Sequence, residues 1–186
     1  MLLELLRLKP WHLRQYARRM AKLCAEMHSL ASRVDLPVQR NRLHETVRAA
    51  QALPESLKAK IPAAFADLPD GDRLCHGDFH PANILVTKQG ERIIEYFDAS
   101  LGNPLADLAR TTIITLGAAE THQIDGWMQK IIVRCFQAAF IRGYFELRPG
   151  GEAEYRRWLP IIAAARLSEE IPELESWLLK LASKHP

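Results

Sequence analysis

His76-Gly77-Asp78-Phe79-His80-Pro81-Ala82-Asn83-Ile84-Leu85 places an aspartate and an asparagine at a fixed offset, in a segment that reads as a loop running into a strand. Gly77 and Pro81 favour a bend over any regular element, whereas Ile84-Leu85-Val86-Thr87 is a short β-prone run. Asp78 therefore belongs to the bend and Asn83 to its exit. Transfer of a phosphoryl group asks for such a pair: a carboxylate to take the proton of an acceptor hydroxyl, and oxygen ligands to hold Mg²⁺ against phosphates.

Working outward, Lys88-Gln89-Gly90-Glu91 is a polar turn, and Arg92-Ile93-Ile94-Glu95-Tyr96 is expected to pair back as the second strand of a hairpin. That pairing would return Glu95, another hard oxygen donor, towards Asn83. Asp98-Ala99-Ser100-Leu101-Gly102 reads as loop. Asn103 and Pro104 then form a helix start, an amide N-cap followed by proline at the first helical position. Leu105, Leu108, Ala109, Thr112, Ile113 and Leu116 share one helical face, which leaves Asp107 on another, in the early turns where a carboxylate suits the helix dipole.

These blocks, HGDFHPAN, IEYFDA and GNPLADLA in that order, resemble the catalytic segment of the aminoglycoside phosphotransferase family and its choline-kinase and fructosamine-kinase relatives. The family pattern is roughly H-G-D-x-H-x-x-N, I-D-W/F-x-x-A and G-D-P-x-x-D-L-A. The resemblance implies an α+β, mostly α-helical fold: a protein-kinase-like C-terminal lobe with a small β-hairpin carrying the catalytic and metal-binding residues. It implies Asp78 as catalytic base, Asn83 and Glu95 as metal ligands, and His76 and Asp107 as braces of the catalytic loop. Leu85 and Ile94 would form the floor under the purine of ATP or GTP, with Mg²⁺ as the cation. Asp98, Glu169 and Glu170 are candidates for contact with the acceptor, the two glutamates with a cationic one, although charged linkers are usually just solvated.

Two positions depart from that pattern. Glu95 stands where the family has a metal-binding aspartate, and its extra methylene moves the carboxylate outward while Mg²⁺ tolerates little distortion of its octahedron. Asn103 stands where G-D-P is usual and can still cap a helix. The family's strand-rich N-terminal lobe, with its glycine-rich loop and lysine, has no counterpart before Gly71, so residues 1–186 are expected to be a single domain, with an N-terminal lobe supplied by a longer polypeptide or lacking. Little turnover is expected of such a lobe by itself. The rival account is a catalytically degenerate lobe that binds a ligand or partner.

Composition narrows the rest. At 186 residues, 48% of them hydrophobic, the chain suffices for one domain with a core. Its formal charge of +3 arises from 25 basic and 22 acidic residues without a long basic run, which argues against nucleic acid as a partner. Cys24, Cys75 and Cys135 are widely spaced, which fits a reducing compartment, and the apolar start is too short to span a bilayer; a cytoplasmic protein acting on a small-molecule hydroxyl is expected. Asp78-Phe79-His80 also matches the D-x-H start of binuclear metallophosphoesterases, but no G-D-x-x-D-R or G-N-H-D follows.

Helical periodicity covers most of the remainder. Amphipathic helices are expected over Pro10 to Leu30 and Arg40 to Leu53, and a shorter one through Leu57 to Leu68 interrupted by Pro62. Ile124 to Leu147 is apolar almost all round and is expected to be buried, with two more helices over Glu152–Leu167 and Pro172–Leu181. His28, one turn after Cys24, reads as a helix-packing histidine.

Overall fold

The computed structural model describes residues 1–31, 35–121, 124 and 126–184, and over them the chain is mostly helical with two short antiparallel strand pairs. A first helix, α1 (Leu2–Leu8), and a single 3-10 turn at Pro10–His12 lead into α2 (Leu13–Met27). Tyr16, Ala17, Met20, Ala21, Cys24 and Met27 of α2 are buried, at the spacing of one helical face. That face packs along α6 (Trp127–Leu147). At Gly143 an added Cβ would lie 3.1 Å from the Ala21 Cβ, so glycine there sets how closely the two helices approach.

Two helical expectations need correction. Pro62 does not interrupt its helix: α4 runs through it from Glu55 to Ala66. Position 62 faces solvent, where water can satisfy the carbonyl that proline leaves without an N–H partner. Nor is α6 buried along its length. Its C-terminal half is, through Phe136, Phe140 and Tyr144, but Trp127, Met128 and Ile131 are exposed. The helix has 21 residues against 15 in α2, so its first turns overhang the partner. It also starts at Trp127 rather than Ile124, and Asp125 lies outside the described residues.

The strands are short and positioned by what flanks them. β1 (Arg73–Cys75) pairs antiparallel with β4 (Ser100–Gly102), and β2 (Ile84–Thr87) with β3 (Gly90–Ile93). The segment expected as loop at Asp98–Gly102 thus ends in a strand, because β1 supplies hydrogen-bond partners that no local pattern announces. The β2–β3 turn is two residues, with the Thr87 hydroxyl donating to the Gly90 carbonyl at 2.8 Å. Pairing therefore starts earlier and stops earlier than expected, at Ile93.

Beyond the strands, α5 (Pro104–Gly117) packs on α7 (Glu152–Arg166), which also contacts α3 (Gln39–Ala49) and α8 (Pro172–Ala182). Ile161 to Ala165 of α7 are all buried, as befits a helix surrounded by others. The start of α5 follows local rules: the Asn103 side chain accepts from Leu105 N at 2.8 Å, with Pro104 next. Among the described residues no helix is long and apolar enough to cross a membrane.

Candidate active site

The loop after β1 turns on Gly77. Its φ is +79°, and an added Cβ would sit 2.5 Å from the Asp98 carbonyl oxygen and 2.7 Å from the Asp98 Cβ. Both the left-handed backbone and the close approach require glycine. Gly77→Ala is expected to cost about 2–3 kcal/mol, since strain of 1–3 kcal/mol at φ > 0 is joined by a backbone clash. Gly90 supplies the control: its φ is also positive, at 116°, but nothing lies within 4 Å of its added Cβ. Gly90→Ala should cost the conformational strain alone, about 1–2 kcal/mol. Urea unfolding of both variants checks the contrast, and equal costs would mean that the Asp98 contact is immaterial.

The loop is held from three directions. Phe79 is fully buried beneath it, near His76 and Phe140 with ring centroids 5.9 and 6.3 Å away, a burial worth about 1.5–3 kcal/mol. The buried His76 ring accepts from Asp78 N at Nδ1 (3.1 Å) and donates from Nε2 to the Ile94 carbonyl (2.9 Å). One acceptor and one donor make a single neutral tautomer that ties the loop to the exit of β3. The third hold is Asp107, which accepts from Gly77 N at 2.8 Å and from His76 N at 3.0 Å.

Asp107 is itself held. His28 Nε2 lies 3.0 Å from its Oδ2, and His28 Nδ1 lies 2.8 Å from the Tyr144 hydroxyl, so α5, α2 and α6 meet in one hydrogen-bonded chain. Burial pushes the Tyr144 hydroxyl's pKa up, so it keeps its proton. At the other end of the chain the His28 N–H donates to Asp107. Burial pushes the Asp107 carboxyl up, yet the His28 N–H and the two backbone N–H groups more than offset it and hold its pKa below the ordinary value.

At the working end, Asn83 Nδ2 donates to the Asp78 backbone carbonyl and to its Oδ2, both at 2.9 Å. The amide oxygen of Asn83 is thereby turned away from Asp78, and it has no hydrogen-bond partner among the described residues. His80 Nδ1 accepts from Ala82 N, which puts the ring proton on Nε2, 3.4 Å from Asp78 Oδ2. Burial raises the Asp78 pKa, but the His80 ring, the Asn83 amide and the Arg110 charge pull it below the usual carboxylate value. The result is an ionised carboxylate with 39% of its side chain exposed.

The other candidates divide. Ile94 N donates to the Asn83 carbonyl at 3.0 Å, so the hairpin does bring that residue to the loop's exit. Glu95 follows it outside the ladder, exposed and in the left-handed region at φ 65°. Leu85 points outward from β2, 39% exposed. The Asp98 carboxylate is paired with Arg42 at 2.8 Å. Glu169 is clasped by Arg110 and Arg166, and Glu170 is exposed. Among the described residues no three histidine, cysteine or acidic side chains cluster as a metal cage would. A cleft of about 400 Å³ lined by Asn103, Leu105, Tyr144, Arg148 and Glu154 contains none of the loop residues.

Several supports were invisible in the sequence. His28 and Tyr144 gave no signal beyond helical spacing. Arg110, whose Nε donates to the Gly77 carbonyl, drew no functional reading from the sequence.

A family model described as the phosphotransferase enzyme family matches residues 4–158, a span holding the loop, the hairpin and α5. No curated protein matches the chain.

Proposed function

The chain belongs to the phosphotransferase enzyme family, and from that premise we propose that it moves the γ-phosphoryl group of ATP or GTP to the hydroxyl of a small molecule. The observation that carries this reading is the Asp78–Asn83 pair. One side chain presents an ionised, half-exposed carboxylate, and the other, bonded to it through its amide nitrogen, keeps an uncommitted amide oxygen. Asp78 accepts a hydrogen bond from the acceptor hydroxyl, orients it for in-line attack and receives its proton as the bond to phosphorus forms. His80 and Asn83 hold that carboxylate in place. The loop's braces fix it against the helical core, which is the positioning that phosphoryl transfer depends on.

Mg²⁺ fits the donor set in part. Asn83 Oδ1 is a hard oxygen without another partner among the described residues, and Glu95 is an exposed carboxylate one residue beyond the Ile94 contact. Mg²⁺ is commonly held by one or two protein oxygens and completed by phosphates and water. Bound there, the ion would neutralise charge on the transferring phosphoryl group. In this reading Leu85 and Ile94 form the floor under the purine, and residues 1–186 are one kinase-like lobe.

Glu95 supports a second reading, a lobe that binds a ligand or partner without turnover, because it combines the longer carboxylate with a backbone turned out of the ladder. Calorimetry with ATP and GTP, in Mg²⁺ and in EDTA, separates the two. The first reading expects Mg²⁺-dependent binding that Asn83→Ala weakens about tenfold or more and that Glu95→Asp tightens. Binding indifferent to EDTA and to both substitutions would favour the second.

A further inference from the structure

Arg110, Glu169 and Arg166 form a cluster that the transfer reading does not use. They come from α5, from the 3-10 turn at Leu167–Glu169 and from the last residue of α7. Each oxygen of Glu169 faces a different guanidinium: Oε1 lies 2.9 Å from Arg110 Nη2, and Oε2 lies 3.2 Å from Arg166 Nε. Arg110 is anchored to the carbonyl of Gly77, the residue before Asp78. The cluster therefore stands against the loop that carries the candidate base.

Its charges do not close on themselves. Two guanidinium groups meet one carboxylate, and that carboxylate has no oxygen left over. Arg166 Nη1 is shielded from solvent yet has no hydrogen-bond partner among the described residues, and the side chain keeps only 11% exposure. Buried donors left unmet are rare in folded proteins and call for an explanation. Asp78 is felt electrostatically by both arginines. With Asp78 ionised the four charges balance; once it has taken the hydroxyl proton, the two arginines outweigh Glu169 by one charge.

We propose that the acceptor carries an oxyanion, a carboxylate or a phosphate ester, alongside its reacting hydroxyl, and that Arg166 together with Arg110 receives it beside Asp78. This rests on the transfer reading for the hydroxyl partner but not for the anion site. A guanidinium fork matches either oxyanion geometry in a way an ammonium group does not. A cationic acceptor meets the opposite situation: Glu169, the acid that would greet it, is already held by two arginines.

Calorimetry on the 186-residue chain tests this with four probes: glycerate, glycerol 3-phosphate, glycerol and ethanolamine. At least one of the two anions should bind about tenfold tighter or more than glycerol and ethanolamine, and which of them does so tells carboxylate from phosphate. Arg166→Gln should remove that preference, and Arg166→Lys should keep part of it, since the charge stays and the fork goes. If Arg166→Gln fails to fold, the ranking of probes on the unaltered chain and on Arg166→Lys decides. A flat ranking, a preference for ethanolamine, an Arg166→Gln chain that still prefers anions, or a loss confined to Mg-nucleotide binding each overturns the inference. Failure of the transfer reading looks different, as an anion preference that stands while nucleotide binding is indifferent to Mg²⁺ and EDTA.

Discussion

Asp107→Ala lowers the stability of the fold by about 3–5 kcal/mol, the cost of leaving buried donors and a buried ring without their acceptor. The side chain is 1% exposed and receives three N–H groups, from His76, Gly77 and His28. Alanine leaves all three without their acceptor. For a fold near the low end of the usual range of about 5–15 kcal/mol, such a loss would unfold a visible fraction of the protein at room temperature. Asp107→Asn should cost less, about 1–3 kcal/mol, because one oxygen remains to accept while the amide now opposes a donor. Urea unfolding measures both, and a double-mutant cycle with His28→Ala should return a coupling of about 1–3 kcal/mol. An unchanged urea midpoint for Asp107→Ala would show that the loop does not hang on this carboxylate.

The same residue sets an acid limit. Its folded pKa is held below the ordinary carboxylate value by the His28 and backbone donors, against the upward push of burial. A depressed carboxylate contributes stability that is fully present above its unfolded pKa of about 3.9 and is lost as pH falls through the folded value. Asp107 therefore adds to the acid side of the unfolding curve and leaves the neutral side flat. In Asp107→Asn that part of the acid dependence should disappear.

What was legible in the sequence was the chemistry that acts over a few residues. Asn103 and Pro104 announced a helix start because an N-cap amide and a first-turn proline work on their own backbone. Ile84 to Thr87 announced a strand by composition. The order of the three blocks pointed to a phosphotransferase, and the matched family bears this out. What stayed hidden depends on partners far along the chain. His28 finds Asp107 and Tyr144 at separations of 79 and 116 residues. β4 exists only because β1 lies alongside. Glu95 was expected inside a ladder that ends two residues earlier, where a left-handed backbone turns the chain out of the sheet. Glu169 shows the same limit in charge: as a bare acid it suggested a cationic ligand, and only the fold brings Arg110 and Arg166 to it.

Asp78→Asn is expected to slow phosphoryl transfer by about 10²–10⁴-fold, the range that a positioned acid–base group supplies, while leaving stability within about 1 kcal/mol, the net worth of a single hydrogen bond of this kind. The amide keeps the shape of the carboxylate and can still accept from Asn83 or from His80, so the loop should hold its form. What is lost is the charge and the place for a proton. Because the Asp78 pKa is pulled below its ordinary value by His80, Asn83 and Arg110 against the effect of burial, the carboxylate stays ionised down to acid pH. It is also a weak base. Under the proposed transfer that suits a loose transition state in which the hydroxyl proton leaves late, and orientation of the hydroxyl would be the larger share of its work. The sign for pH follows: the rate fails only as pH drops through the depressed pKa. Removing the His80 donor in His80→Ala should raise that pKa and move the acid limb to higher pH. A pH–rate profile under Mg-nucleotide saturation reads both effects. An Asp78→Asn enzyme as fast as the parent, or an acid limb unmoved in His80→Ala, would place the reacting hydroxyl somewhere other than this carboxylate.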